Sequence, residues 1–203
     1  IAEAITLCKL LTENDHTQQP EVFALMALMC FHSSRSESRL TAEGEIILLP
    51  MQDREKWNAS LIDEGNEYMN KAAFGDVVSA YHIEAAIAYE HCSAKLFKET
   101  NWKRILEYYE WLCKISPSPI NELNKAVAVM ELHGPAKALH ELQSINDKKK
   151  LESYYLYHSL LGEIYSRINN FSSAKQHFET AIQLTHSETE RKMLKNKILV
   201  LLN

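Results

Sequence analysis

The chain has 203 residues, of which 46% are apolar and 24% charged, so it is long enough to bury a substantial core. Only 5 glycines and 5 prolines occur, which excludes a collagen-like chain and argues against a disordered one. The 22 basic and 27 acidic side chains give a net charge of −5, so we do not expect this chain by itself to bind nucleic acid.

Apolar residues recur at the helical period along almost the whole chain, which predicts an all-α protein. No apolar run approaches the roughly 20 residues needed to cross a bilayer. Nothing at the start resembles a signal peptide, so we expect a cytoplasmic protein without membrane contact. Residue 1 is Ile, and the first residues have the pattern of a helix interior. We therefore expect the chain to be a piece of a longer protein.

The first two predicted helices cover residues 1–11 and 20–32, and Pro20 suits the first turn of the second. Residues 22–31 are apolar on all sides, which predicts a central, buried helix. Each cysteine lies in an apolar helical stretch, which is typical of small buried side chains in a reducing compartment rather than of disulfides or metal ligands. The cysteines are Cys8, Cys30, Cys92 and Cys113.

Residues 33–57 are the one long segment without helical periodicity. Gly44, between two short apolar flanks, predicts a small hairpin or an ordered loop near 40–50. Asp53 is expected to cap the next helix, which continues to Phe74, and Gly75 to end that helix in the left-handed conformation. A further helix is predicted over 77–96.

A loop of this length within a helical array is usually either functional or disordered. Its apolar residues argue against disorder, which leaves two interpretations. The loop either covers the open side of the N-terminal helices or contacts a partner. For the second interpretation, the candidate contact residues are Arg35, Arg39, Asp53 and Arg54.

The second half contains a repeat signature. The tetratricopeptide pattern, in which small residues let two antiparallel helices approach and aromatic residues fill the space between them, is matched by Leu161, Gly162, Tyr165, Ala174, Phe178 and Ala181. Sliding this register back predicts three units, at about 86–119, 120–154 and 155–188. The alternative is unrelated helical hairpins with accidental spacing.

The resulting prediction is an α-solenoid of antiparallel helix pairs in one continuous domain. Its N-terminal helical part covers 1–85, the repeats follow over 86–203, and a capping helix at 188–202 closes the array. Ser187 and Glu190 have the spacing of a capping box at the start of that last helix.

Signatures of catalysis are missing from the sequence. It contains no phosphate-binding glycine loop, no GxSxG or HExxH motif, and no nucleophile with a recognisable partner. The histidines do not have the spacing of metal ligands. We therefore expect no enzymatic activity, no cofactor, no metal and no small-molecule substrate.

Five segments resemble, in order, a known family. They are 20–29 (PEVFALMALM, with His32 and Arg35 after it), 48–57 (LLPMQDREKW), 81–87 (YHIEAAI), 117–129 (PSPINELNKAVAV) and 134–139 (GPAKAL). Together they are similar to the long C-terminal extension of one group of extracytoplasmic-function (ECF) RNA polymerase sigma factors. The most specific parts are Gln52-Asp53-Arg54 and Pro117-Ser118-Pro119.

This resemblance implies a tetratricopeptide-like regulatory extension. Its partners would be the sigma factor's own N-terminal domains, the RNA polymerase core, or both. Promoter DNA would be contacted only through the N-terminal domains, which this chain lacks. The alternative is a free-standing tetratricopeptide adaptor that binds a peptide or protein partner in its groove.

Overall fold

A computed structural model of the protein describes residues 2–146 and 148–201. Within these residues the predicted all-α class is confirmed: eleven α-helices pack in antiparallel pairs, consistent with an α-solenoid, and no regular strand forms. The helices are α1 (Ala2–Glu13), α2 (Pro20–Ser34), α3 (Ala59–Ala72), α4 (Ala80–Ser93), α5 (Trp102–Ile115), α6 (Pro119–His133), α7 (Pro135–Ser144), α8 (Lys149–Glu152), α9 (Tyr155–Arg167), α10 (Phe171–Leu184) and α11 (Glu188–Leu201). Ile1 and Leu202, at the ends of two predicted helices, lie outside the described residues.

The chain forms two compact units. Unit 1 comprises Ile1–Leu40 and Ile47–Ser116, and unit 2 comprises Thr41–Ile46 and Pro117–Asn203. The predicted division after residue 85 falls inside α4, because the helix continues through this position and packs against α5. Apart from Thr41–Ile46, the two compact units meet in sequence between α5 and α6, where Pro117 and Pro119 interrupt the helical pattern.

Unit 1 is built around α2, which packs against α1, α3 and α4. Phe31 is fully buried and lies over Gly65 of α3, where a Cβ atom would come within 2.6 Å of the ring. This contact lets α2 and α3 approach closely. Cys8 and Cys30 are buried in the same core, as their apolar surroundings predict.

The connection between α2 and α3 is ordered by three short 3-10 turns, at Ser36–Arg39, Leu49–Met51 and Arg54–Lys56. Between the first two turns the chain folds back: the Thr41 amide donates to the Glu45 carbonyl, and Gly44 has a positive φ of 79°. This is the predicted hairpin-like loop, reduced to a turn without regular strands in this described segment.

The predicted starts of α3 and α4 need correction. Asp53 caps the 3-10 turn by accepting from the Glu55 amide at 3.1 Å, whereas Asn58 caps α3. Sequence alone did not separate these two caps, because both residue types favour the position. The helix predicted at 77–96 is also shorter, since α4 begins only after Ser79, which caps it.

In unit 2, α9 and α10 form the helix pair that contains the repeat signature. Gly162 of α9 faces Phe178 of α10, and a Cβ atom on the glycine would come within 2.6 Å of the ring. Ala174 and Ala181 are fully buried beside it, and Asn170 caps α10 by accepting from the Ser173 amide. The spacing of small and aromatic residues is thus the spacing of one tight helix–helix contact.

The last helix, α11, packs against α10 and buries Leu194 completely. Its predicted capping box forms only in part. The Glu190 amide donates to Ser187 Oγ at 3.4 Å, but the Glu190 carboxylate accepts from the Tyr155 hydroxyl at 2.6 Å and from Thr185 Oγ1. The carboxylate therefore links α11 to α9 instead of capping its own helix.

Candidate functional site

The three arginines singled out by the sequence lie at the carboxyl end of α2 and in the connection that follows. Arg35 directly follows α2, Arg39 ends the first 3-10 turn, and Arg54 begins the third. We call these three residues the arginine cluster. Arg39 is exposed, whereas Arg35 and Arg54 are half-buried.

Trp57 is the centre of the arginine cluster. Its side chain is buried, and two guanidinium groups lie over its ring. The Cζ atom of Arg54 is 4.9 Å from the ring centroid, and the Cζ atom of Arg35 is 5.8 Å from it. Cation–π attraction of this kind holds a guanidinium in place without a counter-charge.

Arg54 fastens this connection to the end of α4. Its Nη1 donates to the His91 carbonyl at 2.7 Å and to the Ala94 carbonyl at 2.8 Å, and its Nη2 donates to Thr100 Oγ1 at 3.1 Å. The last carbonyls of a helix have no partner within the helix and carry partial negative charge. Arg54 therefore has a structural role, which the sequence did not indicate.

The side chain of Arg35 has a different environment from that of Arg54. Burial lowers the pKa of its guanidinium, Arg39 and Arg54 lower it further, and only the Cys92 thiol opposes them. No carboxylate of the described residues pairs with it. The charge of Arg35 is therefore surrounded by like charges and by the Trp57 ring.

Two histidines near the arginine cluster have lowered pKa values. Burial lowers the pKa of His91 to about 3, with smaller contributions from Arg35 and Arg54. Burial, and then Arg35 and Arg39, also lower the pKa of His32. Burial is therefore the main cause of both shifts, and the neighbouring arginines add to it because a further positive charge is unfavourable beside them.

This region also collects the buried polar atoms that have no hydrogen-bond partner. In the described part of the chain, these atoms are Ser33 Oγ, Arg35 Nε, Gln52 Oε1, Arg54 Nε, Trp57 Nε1 and His91 Nδ1. All of them belong to the α2–α3 connection, the end of α2 or the end of α4. Such atoms are rare in folded proteins and each one needs an explanation.

Asp53, the fourth predicted contact residue, does not neutralise the arginine cluster. It is exposed, and its carboxylate pairs with Lys56 at 3.5 Å in addition to capping the 3-10 turn. Sequence alone did not connect Trp57 or His91 with these arginines. The signal that could have connected them is the density of arginine around a single tryptophan, since arginine favours aromatic faces.

Metal binding and membrane insertion find no support in the residues described. No three His, Cys, Asp or Glu side chains among them come together in a group that could hold a metal ion. Within the same residues, each helix is too short or too polar to cross a bilayer.

Comparison with known proteins gives two matches. Residues 1–73, which include the arginine cluster and Trp57, match a family of unknown function (DUF6596). Over 188 residues, or 93% of this chain, the sequence is 34% identical to an uncharacterized protein of Rhizobium meliloti (strain 1021). The match covers 44% of that protein, so the chain spans less than half the length of this relative. No solved structure matches.

Proposed function

We propose that the chain is a regulatory, protein-binding extension of a bacterial ECF sigma factor and acts in the cytoplasm during transcription initiation. Binding to core polymerase and promoter recognition then belong to N-terminal domains of the full-length protein. The extension's partners are those domains, the polymerase core, or both. We propose no enzymatic activity and no cofactor.

One structural observation carries this proposal. The Gln52-Asp53-Arg54 motif, among the most specific parts of the resemblance, lies in an ordered connection beside Arg35 and Arg39, which have no carboxylate partners in the described residues. An ordered surface that presents arginines on a helical scaffold is suited to a protein contact. Two findings from the comparisons further support the proposal. The matched family occurs in proteins associated with sigma factors. The matched relative is more than twice as long as the aligned segment.

The first experiment asks whether the full-length protein binds polymerase. The gene product that contains this chain would be purified and incubated with core RNA polymerase, and run-off transcription from genomic fragments would be measured. We expect co-purification and initiation at a small set of promoters. Deleting the residues of this chain should change the amount of transcript while polymerase binding remains. A full-length protein that does not bind core polymerase would contradict the proposal.

The second experiment concerns the contact surface. Arg39 is exposed, and no side-chain contact of it is found in the described residues, so Arg39→Ala should leave the fold intact. We expect this variant to change transcription in the full-length factor. Lys175→Ala is the matched control, because it removes one exposed positive charge from α10 in unit 2. Equal transcription by both variants would remove Arg39 from the contact surface.

The tetratricopeptide-like packing of α9 and α10 favours a second candidate, a free-standing adaptor. The two candidates predict different full-length proteins. An adaptor should bind a peptide or protein without core polymerase and should initiate no transcription. The polymerase co-purification described above therefore separates them.

A further inference from the structure

The arginines of the chain fall into two groups. Three of the six pair with glutamates: Arg104 with Glu90 at 3.3 Å, Arg167 with Glu131 at 2.8 Å, and Arg191 with Glu188. The other three form the arginine cluster, and none of them has a carboxylate within ion-pair distance in the described residues. Arg104 and Glu90 also lie in unit 1, so the lack of carboxylate partners in the described residues is a feature of the arginine cluster and not of the whole unit.

Within the arginine cluster, hydrogen bonds to carbonyl groups compensate the charge of Arg54, whereas the charge of Arg35 has no such compensation in the described residues. Arg54 donates to two carbonyls at the carboxyl end of α4. Arg35 follows the carboxyl end of α2, but in the described residues its side chain donates no hydrogen bond to that helix end. The positive charges of Arg39 and Arg54 act on its guanidinium and repel it.

Three of the six unpartnered buried atoms found in the described residues are N–H donors of the indole or guanidinium type. Trp57 Nε1, Arg35 Nε and Arg54 Nε are buried without a hydrogen-bond partner. Indole and guanidinium nitrogens only donate, so the group that would satisfy them is an acceptor. Phosphate and carboxylate oxygens provide both acceptors and negative charge, and they match the planar, forked donors of arginine.

We propose that Arg35 and Arg39 form an oxyanion-binding site, which takes a phosphate or carboxylate group beside Trp57. The guanidinium of Arg35 provides the forked N–H donors, and the Trp57 ring beneath it holds the guanidinium in orientation. Arg39, four residues away and exposed, adds the second charge from the open side. The inference concerns the same surface as the proposed function but does not depend on it, because the 203-residue chain is sufficient for binding.

The test is a nuclear magnetic resonance titration of the isolated chain. It would follow the Nε–H signals of the arginines and the indole N–H signals of the tryptophans. The probes are inorganic phosphate and acetate, each compared with sodium chloride at equal ionic strength. We expect the Arg35 and Trp57 signals to shift until they saturate. The signals of Arg104, Arg167 and Arg191 serve as internal controls, because these arginines already have carboxylate partners.

The two probes distinguish the source of the anion. Saturation by phosphate alone identifies a phosphate-bearing ligand, and saturation by acetate alone identifies a carboxylate ligand. Saturation by both shows that the site recognises the oxyanion itself. Each result supports the proposal. Shifts that rise in proportion to concentration, or that chloride reproduces, would overturn it.

Variants tie the binding to these residues. Arg35→Gln should weaken binding by about tenfold or more, which is the loss expected from one charge-assisted contact. Arg39→Gln should weaken it by a smaller factor, and Lys175→Gln should leave it unchanged. Should Arg35→Gln fail to fold, Arg39→Gln still decides the question, because its side chain is exposed. Unchanged affinity in Arg39→Gln and in every folded Arg35 variant would refute the site.

Discussion

The arginine cluster of unit 1 and the α9–α10 helix pair of unit 2 handle charge in opposite ways. In unit 2, Arg167 pairs with Glu131 and Glu163, and Lys197 also pairs with Glu163. In unit 1, Arg35 and Arg54 lie on Trp57, and neither has a carboxylate within ion-pair distance in the described residues. Paired charges stabilise a fold without creating a binding surface, whereas clustered like charges leave a surface that can bind an anion.

The apolar packing of the two regions is, in contrast, the same. Gly65 lies under Phe31 in unit 1, and Gly162 lies under Phe178 in unit 2, with equal clearance for an added Cβ atom of 2.6 Å. Both contacts bring two antiparallel helices close together around one buried ring. The two regions therefore share a packing device and differ in whether their arginines pair with carboxylates, so the functional signal lies in the charges.

The largest effect is expected from breaking the anchor of the arginine cluster. Arg54→Ala removes two hydrogen bonds to the end of α4 and leaves those carbonyls without their partner. We expect the free energy of unfolding to fall by about 2–4 kcal/mol, since hydrogen bonds from a charged donor are stronger than neutral ones. Urea unfolding followed by tryptophan fluorescence measures this, because Trp57, Trp102 and Trp111 all lie in unit 1.

The matched comparison is Arg39→Ala in the same cluster. Its side chain is exposed, so the change in stability should stay within about 0.5 kcal/mol. If the two variants are equally stable, Arg54 is not an anchor, and the contrast between the compensated and the uncompensated arginine is wrong.

The next effect tests whether the two glycine contacts are equivalent. Gly65→Leu and Gly162→Leu each place a side chain where the ring already lies, at an expected cost of about 1–3 kcal/mol from overpacking. Circular dichroism would report both variants, and tryptophan fluorescence would report unit 1. Gln176→Leu, at an exposed position of α10, is the control for adding a leucine. An unchanged melting temperature in Gly162→Leu would show that the repeat register is wrong.

These glycines also show how far sequence reasoning reaches. Gly162 was found because it belongs to a pattern of six positions with fixed spacing. Gly65 makes the same contact but stands in no such pattern, so its role was visible only in the structure. The all-helical organisation followed from the apolar periodicity that burial imposes on the sequence, and the central position of α2 followed from a stretch that is apolar on all sides.

The candidate site was predicted only in part. Arg35, Arg39 and Arg54 were identified as polar residues of a non-helical segment, but their different environments were not. Arg54 acts on the end of α4, which is 37 residues away in sequence at its nearest contact, and no local pattern encodes that distance. Whether an arginine is compensated by carbonyls, by a ring or by nothing is decided by tertiary contacts.

Acidification should destabilise both regions, and unit 1 more strongly. Burial lowers the pKa of His91 to about 3, and burial together with His158 lowers that of His177 in unit 2. In the unfolded chain these histidines bind protons with a pKa of about 6.5, whereas in the folded chain they bind them only at lower pH. The stabilisation is therefore complete above pH 6.5 and is lost as the pH falls from 6.5 to the folded pKa of each histidine, by up to about 1.4 kcal/mol per pH unit for each neutral histidine.

The measurement is the free energy of unfolding between pH 7 and pH 5. The slope should be smaller in His91→Gln than in the wild type, because the variant has one proton fewer to bind on unfolding. His177→Gln provides the corresponding comparison for unit 2. An identical slope in His91→Gln and the wild type would mean that His91 titrates normally in the folded protein.

The smallest effect should come from the paired charges of unit 2. Arg167 lies 2.8 Å from Glu131 and 3.1 Å from Glu163, and both carboxylates are only partly exposed. A double-mutant cycle of Arg167→Ala and Glu131→Ala should give a coupling of about 0.5–1 kcal/mol, since partly exposed ion pairs contribute little. In 1 M salt the coupling should decrease, because screening acts on the exposed part of the pair. A coupling as large as the loss in Arg54→Ala would mean that unit 2 also depends on a buried charge. The electrostatic difference between the two regions would then no longer separate a structural surface from a binding surface.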